Sequence, residues 1–571
     1  MTRTNSNSTW GFAWTFFFTV FASSAQVVSP SDIDAQVQLG TTVISGANNP
    51  ARAQQFFGGI PYAEPPVGDL RFSPPKLKLS LDPASTFNAL NFGPSCLQPL
   101  TPEDTISEDC LTLNIYRPSD VQTGSPLPVM VWIYGGGFVS TYIIPFIWSM
   151  GRILIRIDGG SSSYEATDLV EYSIVRGTPI VYVSFNYRLG AIGFPQGNEA
   201  ASQGSLNLGL QDQWAALQWV QANIGTFGGD PAQVTVFGQS AGSISLSNLY
   251  LHPNFSTVAR AAIFQSGQAS SLPLFHPTAR TLSWLTFSRN VPACNTSNAT
   301  IACLRTANTS ELVNGMNAAM DLEQFPFPPT LDSSNGMIPN LTSKRLAQTF
   351  PTIPFIAGNV LDEGTIFVPG DISEESQLVN LLVANYTPSP RGNVTLKVGV
   401  EILVFLYPDD PAEGSPYGTG NTTLGMGAQF KRAASIVGDL IFQGQRRIWS
   451  QTASSRGTKS YAYVFTENQT GSAPYLGVSH GSEIPYVYGT ATLANTTTAS
   501  PFSQTMMDYW ISFATSLDPN DGKGSPRPNW EAYSDSQRIL DLNSEGPQLV
   551  SDDFRSSAIN YINKNGDIFS Q

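Results

Sequence analysis

The sequence predicts an α/β protein in which a large, mostly parallel β-sheet is covered by helices on both faces. Two observations support this prediction. Short apolar segments typical of buried strands alternate with helical segments, and that alternation is typical of parallel sheets. In addition, the β-branched segment 234–237 leads into Gly-Gln-Ser-Ala-Gly at 238–242, and a helical segment follows. The order is strand, sharp turn and helix.

The individual elements follow from the spacing of apolar residues along the chain. Helices are predicted where apolar residues recur at helical spacing, at 168–175, 210–224, 244–250 and 506–515. Segment 275–350 is predicted to be helical and loop-like. Strands are predicted where apolar runs are short or alternate with polar residues, the first two forming an N-terminal antiparallel meander; these are 37–46, 53–60, 111–116, 129–134, 179–185, 234–237, 261–265, 352–357 and 461–465.

Composition narrows the class of protein. The chain has 571 residues, of which 41% are apolar and 13% are charged, values typical of a globular protein. Its net charge is −14 and no cluster of lysine or arginine is present, so nucleic acid and anionic membranes are poor partners. No linker, charge run or repeat divides the chain. We therefore expect a single domain over residues 26–571.

The N-terminus has the pattern of a secretory signal peptide. Arg3 precedes the apolar run at 10–22, and Ser-Ser-Ala at 23–25 offers small residues for cleavage before Gln26. The apolar run is shorter than the roughly 20 residues that span a bilayer. Residues 1–25 are therefore predicted to direct secretion, and no stable membrane anchor is expected.

Cysteines and glycosylation sequons agree with an extracellular location. The 4 cysteines form two close pairs in sequence without metal-binding spacing, which favours two local disulfides. Asn-x-Ser/Thr sequons, typical of a glycosylated surface, follow the signal at Asn254, Asn295, Asn298, Asn308, Asn340, Asn385, Asn393, Asn421, Asn468 and Asn495.

Ser240 is the candidate nucleophile. In a Gly-x-Ser-x-Gly turn between strand and helix, the serine is exposed and the first backbone N–H groups of the helix are free to stabilise negative charge. A second match to the motif, at 477–481, has no β-branched strand before it. The strand therefore favours Ser240 over Ser479.

A serine nucleophile needs a base and an acid that orients the base. The chain has 3 histidines, and both His252 and His276 precede proline in turn-like segments. His480 lies in a glycine-flanked loop after a strand and comes last in the chain, where this fold class places its base. Asp362 and Glu363 both follow a buried-type strand, and chemistry alone leaves either as the acid.

Glycines 135–137, which follow another predicted strand, offer backbone N–H groups for an oxyanion hole, and Ala241 offers a further one. Phosphate binding is the alternative for this turn. It is disfavoured because no Gly-Lys-Ser/Thr follows.

These motifs together resemble the type-B carboxylesterase/lipase family, which contains secreted fungal lipases, carboxylesterases and cholinesterases. The resemblance covers about residues 33–560. The matching motifs are Phe-Gly-Gly-Ile-Pro-Tyr-Ala-Glu-Pro-Pro at 57–66, Ser-Glu-Asp-Cys-Leu-Thr-Leu-Asn at 107–114, Tyr-Gly-Gly-Gly-Phe at 134–138, Asn-Tyr-Arg-Leu-Gly at 186–190, Phe-Gly-Gly-Asp-Pro at 227–231, Gly-Gln-Ser-Ala-Gly at 238–242, Asp-Glu-Gly at 362–364 and His-Gly-Ser-Glu-Ile at 480–484.

The resemblance implies an α/β-hydrolase fold and ester hydrolysis through an acyl-serine intermediate, without metal or cofactor. It implies a catalytic triad of Ser240, Glu363 and His480. It also implies disulfides between Cys96 and Cys110 and between Cys294 and Cys303, and a buried ion pair of Arg71 with Glu108. The implied oxyanion donors are the N–H groups of Gly136, Gly137 and Ala241.

The chain departs from the family pattern in three places. Gln239 stands where many relatives have glutamate. The loop between Cys96 and Cys110 is short and lacks tryptophan, which disfavours a long lid and a cholinesterase. An apolar segment at 141–159 interrupts the region after the glycine turn. We favour an unspliced in-frame intron for this segment, and a flap over the site is the alternative.

The predicted function is therefore that of a secreted serine carboxylesterase or lipase-like enzyme acting on a small-molecule or lipid ester. A catalytically inactive, cholinesterase-like binding or adhesion protein is the alternative from another class. Retention of all three triad residues disfavours it. A protease would use the same chemistry, and the family resemblance disfavours that reading.

Overall fold

The computed structural model describes residues 35–81, 86–121, 126–139, 142–143, 155–156, 159–295, 300–385, 394–492, 500–534 and 536–571. The predicted signal peptide and most of segment 141–159 lie outside these residues, as do the sequons at Asn298, Asn393 and Asn495.

The strands of the described residues, numbered in chain order, are β1 (Ala35–Leu39), β2 (Thr42–Asn49), β3 (Gln54–Pro61), β4 (Thr86–Asn88), β5 (Ser95–Cys96), β6 (Ile106–Ser107), β7 (Thr112–Pro118), β8 (Leu127–Ile133), β9 (Tyr142–Ile143), β10 (Ile155–Arg156), β11 (Val181–Phe185), β12 (Gly229–Gln239), β13 (Ala261–Gln265), β14 (Phe355–Val360), β15 (Ser460–Phe465), β16 (Arg538–Leu542) and β17 (Gln548–Ser551).

The α-helices of the same residues are α1 (Thr167–Val175), α2 (Gly190–Gly193), α3 (Gly197–Ser202), α4 (Leu208–Asn223), α5 (Ala241–Tyr250), α6 (Thr281–Arg289), α7 (Ile301–Leu304), α8 (Thr309–Leu322), α9 (Thr342–Gln348), α10 (Glu375–Asn385), α11 (Val394–Phe405), α12 (Phe430–Gly438), α13 (Gly444–Ser455), α14 (Ile484–Val487), α15 (Pro501–Ser516) and α16 (Ser556–Lys564). Among the described residues, no helix has the length and apolar character required to cross a membrane.

A single large sheet organises the described part of the chain. Its 13 strands include the path β1-β2-β3-β7-β11-β8-β12-β13-β14-β15-β16-β17, and β4 pairs with β2. Within the part of this path that runs β11-β8-β12-β13-β14-β15-β16, adjacent strands are parallel. The pairs on either side of that part of the path are antiparallel. This topology agrees with the predicted mostly parallel sheet and its N-terminal antiparallel meander.

Helices cover both faces of the sheet. In β13, successive side chains point to opposite faces. The ring of Phe264 packs against Tyr250 of α5, with centroids 5.4 Å apart, whereas Gln265 accepts a hydrogen bond from the indole of Trp510 in α15. Strands buried on both faces are mostly apolar along their length, which explains the continuous apolar run in β8.

Two strand predictions need correction. Segment 37–46 is two strands, because the chain turns at Gly40, whose φ of 60° is readily available only to glycine, and pairs Leu39 with Thr42. The strand predicted at 352–357 begins at Phe355 and continues to Val360. Pro354 precedes it and has no N–H to donate to a neighbouring strand.

Both predicted cysteine pairs are disulfides in the structure. Cys96 pairs with Cys110 at a Cα separation of 5.0 Å, and Cys294 pairs with Cys303 at 5.8 Å. The buried guanidinium of Arg71 binds both carboxylate oxygens of Glu108 at 2.6 Å. It also donates to the carbonyl of Leu304 at 2.7 Å, so it joins the first disulfide loop to α7.

Candidate active site

The candidate site residues lie on loops at one edge of the sheet. Glycines 135–137 follow β8, Ser240 follows β12, Glu363 follows β14 and His480 follows β15. These four strands are parallel and close in sheet order, so their carboxyl ends meet at the same edge. Open α/β sheets bind ligands at that edge.

The turn at Ser240 is held in a strained conformation. Ser240 has φ 55° and ψ −128°, which is costly for a residue with a Cβ atom. Its N–H donates to the carbonyl of Gln265 at 3.0 Å, which anchors the turn to β13. A Cβ atom on Gly242 would lie 2.0 Å from the backbone oxygen of Ile133. Only glycine allows α5 to begin this close to β8.

His480 is bound to Glu363. Its Nδ1 atom lies 2.5 Å from Oε2 of Glu363, and both side chains are buried. An ionised carboxylate only accepts, so Nδ1 carries the proton and Nε2 of the neutral ring is an acceptor. The rings of Phe442 and Phe367 pack against the imidazole at centroid distances of 4.6 and 5.2 Å. The tautomer and the plane of the imidazole are therefore both restrained.

Glu363 and Asp362 have different surroundings. Oε1 of Glu363 accepts hydrogen bonds from the N–H of Val360 at 3.0 Å and from Nδ2 of Asn359 at 3.2 Å. Asp362 makes its hydrogen bonds with two other loops. Its carboxylate accepts from the N–H of Val478 at 2.9 Å, among others. Of the two acidic residues, it is Glu363 that contacts His480.

Asp362 joins the loop of His480 to a third loop. Besides Val478, it accepts hydrogen bonds from the hydroxyl of Ser415 at 2.7 Å and the N–H of Tyr417 at 3.0 Å. Burial raises the pKa of Asp362, and these hydrogen bonds oppose the rise. Sequence reasoning found Asp362 only as a candidate acid and missed its role in connecting the loops.

The Nε2 atom of His480 faces Gln239. The side-chain nitrogen of Gln239 lies 3.1 Å from it, and since Nε2 is an acceptor, the amide donates. Among the described residues, no hydrogen bond joins the hydroxyl of Ser240 to His480. The sequence distinguishes Gln239 only as a substitution for the glutamate of many relatives. The contact of Gln239 with His480 was not predicted.

The glycine turn after β8 leaves backbone donors beside Ser240. Gly136 and Gly137 have φ values of 103° and 63° and are partly exposed. Within the described residues, no hydrogen bond uses the N–H groups of Gly136, Gly137 or Ala241. A Cβ atom on Gly137 would lie 2.6 Å from the ring of Phe325. Phe325 therefore forms a wall directly beside the turn.

A second buried carboxyl lies close to His480. Burial and the negative charge of Glu363 raise the pKa of Glu483 to about 7. Its Oε1 atom accepts a hydrogen bond from Gln265 at 3.2 Å. This carboxyl therefore keeps its proton to a higher pH than an exposed glutamate does, which limits the negative charge near the site.

The other two histidines lie in surface loops. The partly exposed ring of His252 packs on Trp214 with a centroid separation of 4.6 Å, and His276 contacts Thr278. Neither contacts Ser240 or Glu363 among the described residues.

The sequence and the fold are similar to those of known proteins. The model of the carboxylesterase family matches residues 33–561. Secreted lipase 1 of Botryotinia fuckeliana is 33% identical over 91% of each chain. Lipase 1 of Geotrichum candidum is 32% identical over 93% of this chain and 95% of its own. The crystal structure of Aspergillus niger EstA covers 94% of this chain and 99% of its own with a TM-score of 0.79 and 23% identity.

The fold and the family match define the class of protein, a carboxylic ester hydrolase with the α/β-hydrolase fold. The chain belongs to the carboxylesterase family, and its predicted resemblance, fold class and enzyme class are confirmed.

Proposed function

We propose that this protein is a secreted serine carboxylesterase or lipase in which Ser240 is the nucleophile, His480 the base and Glu363 the acid that orients the base. The observation that carries the proposal is the buried Glu363–His480 pair, 2.5 Å apart, on the loops beside the strained turn of Ser240. The family match and its lipase relatives support the same chemistry.

The proposed reaction is acyl transfer in two steps. The hydroxyl oxygen of Ser240 attacks the ester carbonyl while His480 Nε2 takes its proton, and the C–O bond to the alcohol then breaks as the imidazolium returns that proton to the leaving alcohol. Water attacks the acyl-serine with the same base, which releases the acid and restores the hydroxyl.

The negative oxygen of each tetrahedral intermediate would accept hydrogen bonds from the N–H groups of Gly136, Gly137 and Ala241. Among the described residues these groups have no other partner. Because the donors are fixed by the backbone before substrate binds, they stabilise the developing charge without rearrangement.

His480 must engage Ser240 for the first step, although its Nε2 atom faces Gln239 in this structure. Catalytic hydrogen bonds are often long in the free enzyme and tighten when substrate binds. The first step therefore requires a movement of the imidazole or the serine rotamer that exchanges the amide for the hydroxyl.

Aromatic side chains suit an apolar substrate. Phe325 borders Gly137, its ring centroid lies 6.2 Å from that of Phe367, and Phe367 in turn packs on His480. Apolar walls beside the reacting atoms exclude water and favour a hydrophobic acyl group. This arrangement supports an ester with an apolar acyl chain as substrate.

The test is hydrolysis of short- and long-chain p-nitrophenyl esters by the wild type and the Ser240→Ala variant. Loss of a triad serine is expected to lower kcat about a millionfold. Ser479→Ala is the matched control, because Ser479 lies in the second Gly-x-Ser-x-Gly motif, and we expect it to remain active. A folded wild type without esterase activity would favour the alternative, a cholinesterase-like binding protein. The chain-length profile distinguishes esterase from lipase.

Secretion and domain organisation belong to the same proposal. We propose that cleavage after Ala25 releases a single domain of residues 26–571, and the secreted lipase relative supports this. N-terminal sequencing of protein from the culture medium tests the cleavage site. Sequencing the transcript tests segment 141–159, because a cDNA that encodes the segment would exclude a retained intron.

A further inference from the structure

Asn359 is a polar residue in a strand that is otherwise apolar. Strand β14 reads Phe-Ile-Ala-Gly-Asn-Val, and Asn359 is fully buried within it. A buried amide is costly unless both its carbonyl and its NH2 group form hydrogen bonds. The two partners of Asn359 therefore identify its role.

The partners fix the orientation of the amide. Oδ1 lies 3.4 Å from Nε of Arg446, and Nδ2 lies 3.2 Å from Oε1 of Glu363. A guanidinium only donates and an ionised carboxylate only accepts. The amide oxygen must therefore face Arg446, and the NH2 group must face Glu363.

Arg446 is itself held rigidly. Both of its terminal nitrogens bind the carboxylate of Asp552, one of them at 2.7 Å. Asp552 also accepts hydrogen bonds from Nε of Arg447 at 3.0 Å and from the hydroxyl of Tyr533 at 3.0 Å. The side chains of Arg446 and Asp552 are fully buried. A continuous hydrogen-bonded chain thus runs from Asp552 through Arg446 and Asn359 to Glu363.

We infer that Asn359 is a positioning residue for the acid of the triad, an inference that rests on the proposed function. A carboxylate has two oxygens. The N–H of Val360 and the NH2 of Asn359 donate hydrogen bonds to Oε1. This leaves Oε2 as the oxygen that accepts the hydrogen bond from Nδ1 of His480. Asn359 therefore holds the carboxylate in the orientation that presents Oε2 to His480.

Other charged and titratable groups lie around Glu363. Burial and then the negative charge of Glu363 raise the pKa of Glu483. Burial, and then the negative charges of Glu483 and Glu363, raise the pKa of Tyr463 in the neighbouring strand β15. The hydrogen bonds of Asp362, the adjacent acid, run to other loops. The cationic side chain of Arg446 is connected to Glu363 through Asn359.

The test compares Asn359→Leu and Asn359→Asp with the wild type. The leucine variant removes the donor, and the nearly isosteric aspartate variant replaces it with a carboxylate. Thr235→Val is the matched control, since the hydroxyl of Thr235 is buried in the same sheet and has no partner among the described residues. A phosphonate ester that labels the active serine counts the folded sites, so kcat is obtained per competent enzyme.

We expect kcat to fall about tenfold to a hundredfold in both variants with KM nearly unchanged, as for loss of one hydrogen bond to a charged group. A carboxylate with fewer donors attracts the positive charge of a protonated imidazole more strongly. The acid limb of the kcat/KM profile is therefore expected to move to higher pH, furthest in Asn359→Asp. In a Glu363→Gln background, the same substitutions should have little further effect.

A purely structural role predicts different results. In that case the variants lose thermal stability and labelled sites, but kcat per labelled site and the acid limb match those of Thr235→Val, and the inference is overturned. Additive effects in the Glu363→Gln background would overturn it as well. A Ser240→Ala variant as active as the wild type would instead disprove the proposed triad, so the two failures are distinguishable.

Discussion

The side-chain nitrogen of Gln239 lies 3.1 Å from the Nε2 atom of His480. Gln239 immediately precedes Ser240, so a neutral amide occupies the lone pair that is proposed to accept the serine proton. A glutamate at this position, as in many relatives, would bring a negative charge to the same atom. The identity of this one residue therefore sets the charge beside the proposed base.

Gln239→Glu is expected to change the pH dependence of activity, because a carboxylate next to Nε2 of His480 stabilises the imidazolium. The base is active when neutral, so the acid limb of the kcat/KM profile should move up by about one pH unit or more. The measurement is the pH dependence of ester hydrolysis for both enzymes. Gln239→Met, which adds no charge, is the control and should not move the limb upward. Coincident profiles for Gln239→Glu and the wild type would contradict the expectation.

The carboxyl of Glu483 should make the stability of the protein depend on pH between its pKa in the unfolded chain and its pKa in the folded protein. Its pKa is 4.5 ordinarily and about 7 in the folded protein, owing first to burial and then to Glu363. Between these values the unfolded chain has lost the proton that the folded protein retains, so stability falls as pH rises from about 4.5 to 7. Over this pH range the free energy of unfolding falls by about 3 kcal/mol.

Urea unfolding at several pH values measures this effect. Glu483→Gln mimics the protonated acid, so its stability should match that of the wild type near pH 4 and exceed it above pH 7. Glu374→Gln, at an exposed position, is the control and should keep the pH dependence of the wild type. An unchanged pH dependence in Glu483→Gln would exclude Glu483 as its source.

Asp362→Asn is expected to lower both stability and kcat. The carboxylate accepts three hydrogen bonds from two other loops, and the NH2 group of asparagine would oppose at least one of these donors. An unpaired buried donor costs about 1–3 kcal/mol. Urea unfolding and kcat per labelled site are the measurements, with the exposed Asp553→Asn as control. Stability equal to that of the control would show that these hydrogen bonds contribute little.

Gly137→Ala is expected to lower kcat strongly. Its φ of 63° is unfavourable for alanine, and the added Cβ atom would lie 2.6 Å from the ring of Phe325. The turn would therefore shift and move its N–H groups away from the oxyanion. Phe325→Ala removes the clash but not the backbone cost, so the double variant should recover part of the activity. No recovery would assign the whole defect to the backbone.

The strand and helix order of this protein could be predicted from sequence because each element has a local cause. The apolar runs in β8 and β12 predict strands that are buried on both faces. The glycines around Ser240 identify the sharp turn. His480 could be selected because the chain has few histidines and the other two precede proline. Element boundaries were predicted less accurately. The turn at Gly40 interrupts an apolar pattern that continues on both sides of it.

The choice between Asp362 and Glu363 shows what local pattern cannot determine. Adjacent acids after a strand are chemically equivalent in sequence, and only the family resemblance favoured Glu363. In the structure, the loop of His480 brings its ring to Glu363 and its backbone to Asp362. The distinction depends on segments more than 100 residues apart in sequence, since those hydrogen bonds span separations of 117 and 116 residues.

The sequence by itself determined the fold class, the family, the nucleophile turn and a short set of candidate partners, because these depend on residue type and local spacing. Only the tertiary structure decided which atoms meet. The contact between Gln239 and His480, and the chain from Asp552 through Arg446 to Asn359, join residues from different strands and helices. Side-chain hydrogen bonds require distances within about 3.5 Å, and only the packing of the whole sheet and its helices sets distances on that scale.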